Sequence, residues 1–167
     1  ERCVSKMKRA LISVTDKSGI VEFAKGLSDL GFELVSTGNT HKKIVEAGLE
    51  CKLIDEITGF PEILDGRVKT LHPIVHGGLL FRRDLEEHVA TVEKMNIKPI
   101  DLVCVNLYEF EKALRSNKPM EDMIENIDIG GPSMIRSAAK NFKDVLIVTD
   151  PKDYDKVLEA IANKNDD

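Results

Sequence analysis

The chain has 167 residues, of which 42% are apolar and 32% charged, and this composition suits a soluble globular protein with one full-sized domain. Its 24 basic and 29 acidic residues give a formal net charge of −5, which argues against binding to nucleic acid or to an acidic membrane surface. The apolar stretches are too short to span a bilayer, and the charged first residues argue against a secretory signal.

The first third of the chain alternates between short apolar runs and amphipathic segments. The predicted elements are, in order, a strand at 9–15, a helix at 20–30, a strand at 32–35, a helix that ends near residue 47 and a strand at 51–54. Gly31 and Gly48 follow the two helices as C-terminal caps. This rhythm predicts βαβ units, and therefore a parallel sheet with right-handed crossovers.

Residues 55–79 interrupt the rhythm, because they contain two prolines and four glycines. A loop of this length is usually functional or disordered, and its apolar side chains predict that this one is ordered. Beyond it, strands are predicted at 99–106 and 145–149. The helices predicted there span about 85–95, 108–116, 120–126, 131–140 and 154–162.

The three cysteines are far apart and form no CxxC pair, which predicts reduced thiols in a cytoplasmic protein and no structural zinc site. The sequence contains no internal repeat and no linker. We therefore expect an N-terminal extension at 1–8, a single domain at 9–162 and a frayed tail at 163–167.

Polar side chains follow three of the predicted strands, and the carboxyl ends of parallel strands are where ligands bind in such sheets. These side chains are Ser13, Thr15 and Lys17 after the first strand, Ser36, Thr37, Gly38 and Thr40 after the second, and Asn106 and Tyr108 after the strand at 99–106. The Ser-Thr-Gly-Asn-Thr run at a helix start is typical of an anion site, since hydroxyls and free amides donate to phosphate oxygens. An ordinary helix cap followed by a turn is the alternative.

Two further segments carry groups that suit catalysis. Arg67 and Lys69 lie two residues apart, so an extended loop presents both cations on one side, although a solvated basic loop would look the same. Asp128 precedes a Gly-Gly-Pro helix start whose free N–H groups suit an oxyanion site, and Arg136 and Lys140 share one face of that helix. The alternative is a capped helix with a basic outer face.

A histidine pair is the remaining candidate. His72 and His76 are four residues apart, but Pro73 lies between them and no HExxH pattern surrounds them. We therefore predict capping or loop-packing roles for these imidazoles rather than a metal site.

Taken together, these segments resemble the IMP cyclohydrolase domain of the bifunctional phosphoribosylaminoimidazolecarboxamide formyltransferase / IMP cyclohydrolase family. The resemblance runs in family order from about residue 9 to 158, and its most specific stretches are GRVKTLHP at 66–73 and IDIGG at 127–131. The other matching stretches are 12–19, 36–40, 58–62, 76–78, 101–108 and 138–141. The fold of this family is similar to methylglyoxal synthase, a three-layer α/β/α arrangement with a central, mainly parallel sheet.

The resemblance implies dehydrative ring closure of 5-formamidoimidazole-4-carboxamide ribonucleotide to IMP, the last step of de novo purine biosynthesis. It implies a purine nucleoside monophosphate as ligand and no metal or redox cofactor for this step. It also implies a homodimer fused to a formyltransferase domain that uses 10-formyltetrahydrofolate. These 167 residues have no counterpart of that second domain.

The resemblance also implies roles for individual residues. The catalytic side chains are Lys69, Tyr108, Asp128 and Lys140. The residues that hold the 5′-phosphate and its neighbouring groups are Ser13, Thr15, Lys17, Ser36, Thr37, Gly38, Thr40, Lys69 and Thr70, and those that contact the base and the reacting groups are Arg67, Asn106, Asp128, Ile129, Gly130 and Gly131. Two positions depart from the family pattern: Asn39 replaces a second glycine, and Glu109 replaces a proline after Tyr108.

Two alternative functions are compatible with this fold class. One is a lyase like methylglyoxal synthase, in which GRVKTLHP would have no place. The other is an allosteric nucleotide-binding module, like the regulatory domain of a carbamoyl-phosphate synthetase, which would not need Tyr108, Asp128 and Lys140 together. The cyclohydrolase hypothesis requires that separated loops meet in one cationic, amide-rich cavity shaped for a nucleoside monophosphate.

Overall fold

A five-stranded parallel sheet forms the centre of the computed structural model, which describes residues 7–107 and 110–165. The strands are β1 (Arg9–Ser13), β2 (Glu33–Ser36), β3 (Lys52–Leu53), β4 (Leu102–Val105) and β5 (Leu146–Val148), in the order β3-β2-β1-β4-β5. Chain order therefore reverses between β1 and β4, and in open parallel sheets such a switch point leaves a crevice at the carboxyl ends of the strands.

Helices cover both faces of this sheet. They are α1 (Ile20–Asp29), α2 (Gly38–Glu46), α3 (Ile54–Thr58), α4 (Pro73–Leu80), α5 (Glu86–Lys94), α6 (Phe110–Arg115), α7 (Met120–Glu125), α8 (Gly130–Lys140) and α9 (Tyr154–Asn165). None of these helices, within the ranges given above, has both the length and the apolar content of a membrane span.

Two apolar cores lie on opposite faces of the sheet, because successive side chains of a strand point to opposite sides. Ala10 and Ile12 of β1 pack with α1, α2 and Tyr154 of α9 in one core. Leu11 packs with α4 and α8 in the other, mainly against Val75, Leu79, Met134 and Ala138. The predicted three-layer α/β/α class is confirmed.

The prediction of one long loop at 55–79 is wrong, because α3 and most of α4 lie within it. Proline at the first position of a helix is preorganised for helical backbone, and Pro73 occupies that position in α4. His72 caps this helix, since its Nδ1 accepts a hydrogen bond from the Ile74 N–H at 3.1 Å. At the other end of the chain, α9 continues to Asn165, past the predicted start of a frayed tail at 163.

Gly77 and Gly78 lie inside α4, where they form no turn but allow this helix to pack closely against the rest of the protein. The Gly78 carbonyl accepts a hydrogen bond from the Ile100 N–H at 3.1 Å, which draws α4 against the segment that enters β4. A Cβ atom at Gly78 would lie only 2.7 Å from the Lys98 carbonyl oxygen. A Cβ atom at Gly77 would instead meet the tip of the Ile97 side chain at 3.0 Å, and that tip can move.

Asn141, which directly follows α8, also holds α4 in place. Its buried side-chain amide donates to the Leu79 and Phe81 carbonyls at 2.9 Å each, at the carboxyl end of α4. This contact explains the asparagine of the stretch 138–141 as a structural residue.

We expect Gly78→Ala to destabilise the fold by about 1–3 kcal/mol, because the added methyl group meets backbone that cannot move away. Gly77→Ala is the matched control, and it should cost less because only a side-chain tip must shift. Urea denaturation of the two variants and the unchanged chain measures the difference. Equal stability of Gly78→Ala and the unchanged chain would contradict this account of α4 packing.

Candidate functional site

A cavity of about 530 Å³ opens at the carboxyl ends of β1, β2 and β4, at the switch point of the sheet. This volume lies within the range of roughly 300–1,000 Å³ that is typical of small-molecule sites. Fourteen of the predicted site residues line it: Ser13, Thr15, Lys17, Thr37, Gly38, Thr40, Arg67, Lys69, Thr70, Asn106, Asp128, Ile129, Gly130 and Gly131.

Hydroxyl groups join the ends of β1 and β2 at one wall of the cavity. The Ser13 and Thr37 side-chain oxygens are 2.7 Å apart. The Thr40 hydroxyl accepts from the Val14 N–H at 3.2 Å and donates to the Val14 carbonyl at 3.0 Å. Helix α2 begins here at Gly38, and its first N–H groups have no partner within the helix, so this wall offers hydroxyl and amide donors to an anion.

Asn106 holds the loop between β1 and α1 in place. Its side-chain oxygen accepts from the Thr15 and Asp16 N–H groups at 2.6 and 3.0 Å, and its amide nitrogen donates to the Asp16 carbonyl at 3.0 Å. Lys17 belongs to the same loop, and its ammonium donates to the Val14 and Thr15 carbonyls at 3.1 and 3.4 Å. Asn106 thus shapes the cavity through the backbone, a role that its position after a strand did not reveal.

The start of α8 forms another wall of the cavity. Asp128 accepts a hydrogen bond from the Gly131 N–H at 3.0 Å and so caps this helix. A Cβ atom at Gly130 would lie 2.7 Å from the Thr70 hydroxyl, and one at Gly131 would lie 2.6 Å from an Asp128 carboxylate oxygen. Gly130 therefore allows the segment that carries Lys69 and Thr70 to reach the start of α8, as the cyclohydrolase hypothesis requires, whereas Gly131 leaves room for the Asp128 carboxylate.

A tight hairpin at residues 63–68 forms part of the rim. Ile63 and Val68 pair through two backbone hydrogen bonds. Between them Leu64, Asp65 and Gly66 all have left-handed backbone, with φ of 55°, 55° and 85°. Left-handed leucine and aspartate are strained conformations that persist only where the surroundings impose them.

The hairpin brings Arg67 to Glu125, the last residue of α7, and the two side chains form an ion pair at the rim. The hydrogen bond from the guanidinium lowers the pKa of the Glu125 carboxyl and raises the pKa of Arg67. Both side chains are more than half exposed, at 59% and 55%.

The charges of the cavity are balanced rather than cationic, which corrects the expectation from the sequence. Three basic residues, Lys17, Arg67 and Lys69, and three acidic residues, Asp65, Glu125 and Asp128, line it. Among the described residues Lys69 has no hydrogen-bond or ion-pair partner, so its ammonium is available to a ligand. Asp65 and Glu125 were missed because neither belongs to a polar motif, and only the fold places both at the cavity.

Two predicted site residues within the described ranges, Ser36 and Lys140, do not line the cavity. Ser36 is buried and donates to the Ile12 carbonyl at 2.6 Å, so it ties β2 to β1. Lys140 is exposed at the end of α8, ten residues beyond Gly130 and hence roughly 15 Å along the helix from the cavity. Tyr108 and Glu109 lie outside the described residues. Asn39 does line the cavity, and it sits in the first turn of α2 without left-handed backbone.

The histidines have the packing roles that the sequence predicts. His72 caps α4, and His76 contacts the Ser137 hydroxyl of α8 through Nδ1 at 2.9 Å. Burial lowers the pKa of His76. No group of three histidine, cysteine or carboxylate side chains that could hold a metal ion occurs within 7–107 and 110–165.

Comparison with known proteins gives two family matches. Residues 19–133 match the MGS-like domain, and residues 138–167 match the AICARFT/IMPCHase bienzyme family. A solved structure described as the crystal structure of ForH is 38% identical, with a TM-score of 0.82, over 94% of this chain and 80% of that one.

Two curated relatives carry the name bifunctional purine biosynthesis protein PurH. The protein of Clostridioides difficile (strain 630) is 60% identical over 154 residues, and that of Limosilactobacillus reuteri (strain DSM 20016) is 62% identical over 156 residues. These matches cover 92% and 93% of this chain but only 30% of each relative, whose N-terminal part they occupy.

We expect Thr40→Val to destabilise the chain by about 1–3 kcal/mol, since it removes both hydrogen bonds to Val14 and leaves the buried Val14 N–H without its partner, while the Lys17 ammonium still meets the Val14 carbonyl. Thr40→Ser keeps the hydroxyl and should cost clearly less. Thermal or urea unfolding of both variants tests this. A valine variant as stable as the unchanged chain would mean that the hydroxyl does not stabilise this wall, because valine keeps the methyl group of threonine and lacks only the hydroxyl.

Proposed function

Since this chain belongs to the MGS-like domain family, we propose that its cavity is the active site of an IMP cyclohydrolase. The reaction is the dehydrative ring closure of 5-formamidoimidazole-4-carboxamide ribonucleotide to IMP. The observation that carries the proposal is the contact between Thr70 and Gly130, because it joins the GRVKTLHP and IDIGG segments in one cavity. The match of residues 138–167 to the AICARFT/IMPCHase bienzyme family and the PurH relatives support it.

The wall formed by β1, β2 and α2 suits the 5′-phosphate. Ser13 and Thr37 present hydroxyls there, and the first turn of α2 presents N–H groups with the positive end of the helix dipole. The Lys17 ammonium sits on the adjoining loop with two carbonyl partners, and its remaining proton is free to meet a phosphate oxygen. With the phosphate at this wall, a nucleoside monophosphate would direct its base toward the start of α8.

The reaction forms a bond between the carboxamide nitrogen and the formyl carbon, and it expels the formyl oxygen as water. Holding the two groups in contact supplies much of the rate, because the attack becomes an oriented intramolecular step. Negative charge develops on the formyl oxygen as the bond forms. The Lys69 ammonium, which has no partner within the described part of the chain, and the N–H groups at the start of α8 are suited to stabilise that charge.

Asp128 is the residue suited to take a proton from the carboxamide nitrogen. One of its oxygens accepts from the Gly131 N–H, which orients the carboxylate, and the other oxygen has no hydrogen-bond partner among the described residues. Tyr108 remains a predicted proton relay. Lys140 has no part in this scheme, because α8 carries it away from the cavity.

The PurH relatives also support proposals about the fused domain, the oligomeric state and the location of the protein. The chain spans about 30% of the length of its PurH relatives, so we propose that it is normally fused to a formyltransferase domain that uses 10-formyltetrahydrofolate. We propose a homodimer, a cytoplasmic location in keeping with the free thiols of Cys51 and Cys104, and a cyclisation step that needs no cofactor.

Replacement of Lys69 by Met or of Asp128 by Asn should slow cyclisation by on the order of a hundredfold, the usual cost of losing one group that acts in the transition state. Asp128→Asn keeps an oxygen that can cap α8 but removes the basic carboxylate. Lys94→Met, at the end of α5, is the control and should cyclise at the unchanged rate. Formation of IMP from the formylated ribonucleotide is followed by absorbance.

The same chain is incubated with dihydroxyacetone phosphate, and released phosphate is measured. Phosphate release without IMP formation would replace the proposal with a lyase like methylglyoxal synthase. Binding of IMP without turnover of either substrate would replace it with a nucleotide-binding regulatory module. Normal cyclisation by both site variants would remove Lys69 and Asp128 from the mechanism.

A further inference from the structure

The ion pair between Arg67 and Glu125 spans the rim of the cavity. Arg67 comes from the hairpin at residues 63–68, whereas Glu125 ends α7 and lies three residues before Asp128. Both residues also line the cavity. The pair therefore connects two segments that both line the cavity and that are far apart in the sequence.

Arg67 can readily exchange its Glu125 partner for an oxygen atom of a ligand. Ion pairs between exposed side chains contribute little net stability, so a ligand oxygen can take the place of the carboxylate without disturbing the fold. The backbone under Arg67 is held by the two hydrogen bonds between Ile63 and Val68, so the exchange requires rotation of the arginine side chain rather than movement of the hairpin. A guanidinium binds carbonyl and anionic oxygens in the same planar geometry that it uses for a carboxylate.

The position of the pair indicates which end of a ligand it meets. The hydroxyls and helix amides suited to a phosphate lie at the ends of β1 and β2. Glu125 belongs instead to the segment that leads into Asp128 and α8, at the other wall. Arg67 is therefore placed for the base of a nucleotide, and Glu125 is the group with which that base must compete.

We propose that Glu125 sets the affinity of the site for nucleotides, because it holds Arg67 across the rim and is displaced when an oxygen on the base of a nucleoside monophosphate binds the guanidinium. This inference rests on the proposed function, because it takes the phosphate to lie at the α2 wall. A ligand that carries the phosphate but no base gains nothing from Arg67 and leaves the pair intact. The pair thus weakens the binding of a nucleotide that uses Arg67 and leaves the binding of a sugar phosphate unchanged.

Binding of two probes to the full chain tests the proposal. IMP carries a base oxygen, and ribose 5-phosphate carries the same phosphate without a base. Glu125→Gln removes the competing charge with little change in shape, so it should bind IMP roughly two- to fivefold more tightly than the unchanged chain, the range that an exposed ion pair accounts for. Its affinity for ribose 5-phosphate should not change, as measured by calorimetric titration.

Two comparisons make the test specific. Glu121→Gln, on the exposed first turn of α7, removes the same charge away from the cavity lining and should leave both affinities unchanged. In an Arg67→Met background, Glu125→Gln should no longer tighten IMP binding, because the competition acts only through the arginine. Circular dichroism of each variant checks that the fold is retained.

Unchanged or weaker IMP binding by Glu125→Gln would overturn the inference while leaving the cyclohydrolase proposal intact. Equal tightening of IMP and ribose 5-phosphate would also overturn it, since the carboxylate would then repel the phosphate rather than compete with the base. Failure of the unchanged chain to bind IMP or to cyclise the formylated ribonucleotide would instead remove the proposed function, and this inference with it.

Discussion

The Thr70 hydroxyl lies where any side chain on Gly130 would have to go, and this close approach is the constraint on which the cavity depends. It lets the residue 69–70 segment lie directly against the first turn of α8, where free N–H groups point toward the same space. The parallel register of β1 with β2 and β4 supplies another wall, because all three strands end at one edge of the sheet. Two loops distant in sequence thus become neighbours.

The groups around this cavity are oriented before any ligand arrives. Asn106 holds the β1–α1 loop, Thr40 holds the turn after β1, and Asp128 is aligned by the Gly131 N–H. Charges are matched in the same way, because three carboxylates offset three cations and Arg67 already has an anionic partner. A ligand group that binds Arg67 must therefore displace Glu125, which is the physical basis for a role of Glu125 in setting affinity.

Much of the fold was predictable from periodicity, and the failures have local causes. Periodicity correctly predicted β4 from the apolar run at 99–106 and α1 from the amphipathic pattern at 20–30, because both patterns are long and regular. Segment 55–79 was misjudged because its glycines and prolines are typical of loops. In the structure Pro73 begins a helix and Gly78 lets that helix approach the Lys98 carbonyl, and neither role is visible without the partner.

The sequence by itself determined the class of fold, the polar segments at the strand ends and the family that GRVKTLHP and IDIGG indicate, because these depend on residue type and spacing along the chain. Only the tertiary structure decided which of those residues share a cavity. It buried Ser36 between strands, left Lys140 at the far end of α8 and paired Arg67 with Glu125. Such pairings depend on distances between segments far apart in the chain, which helix lengths and sheet register set and residue spacing does not record.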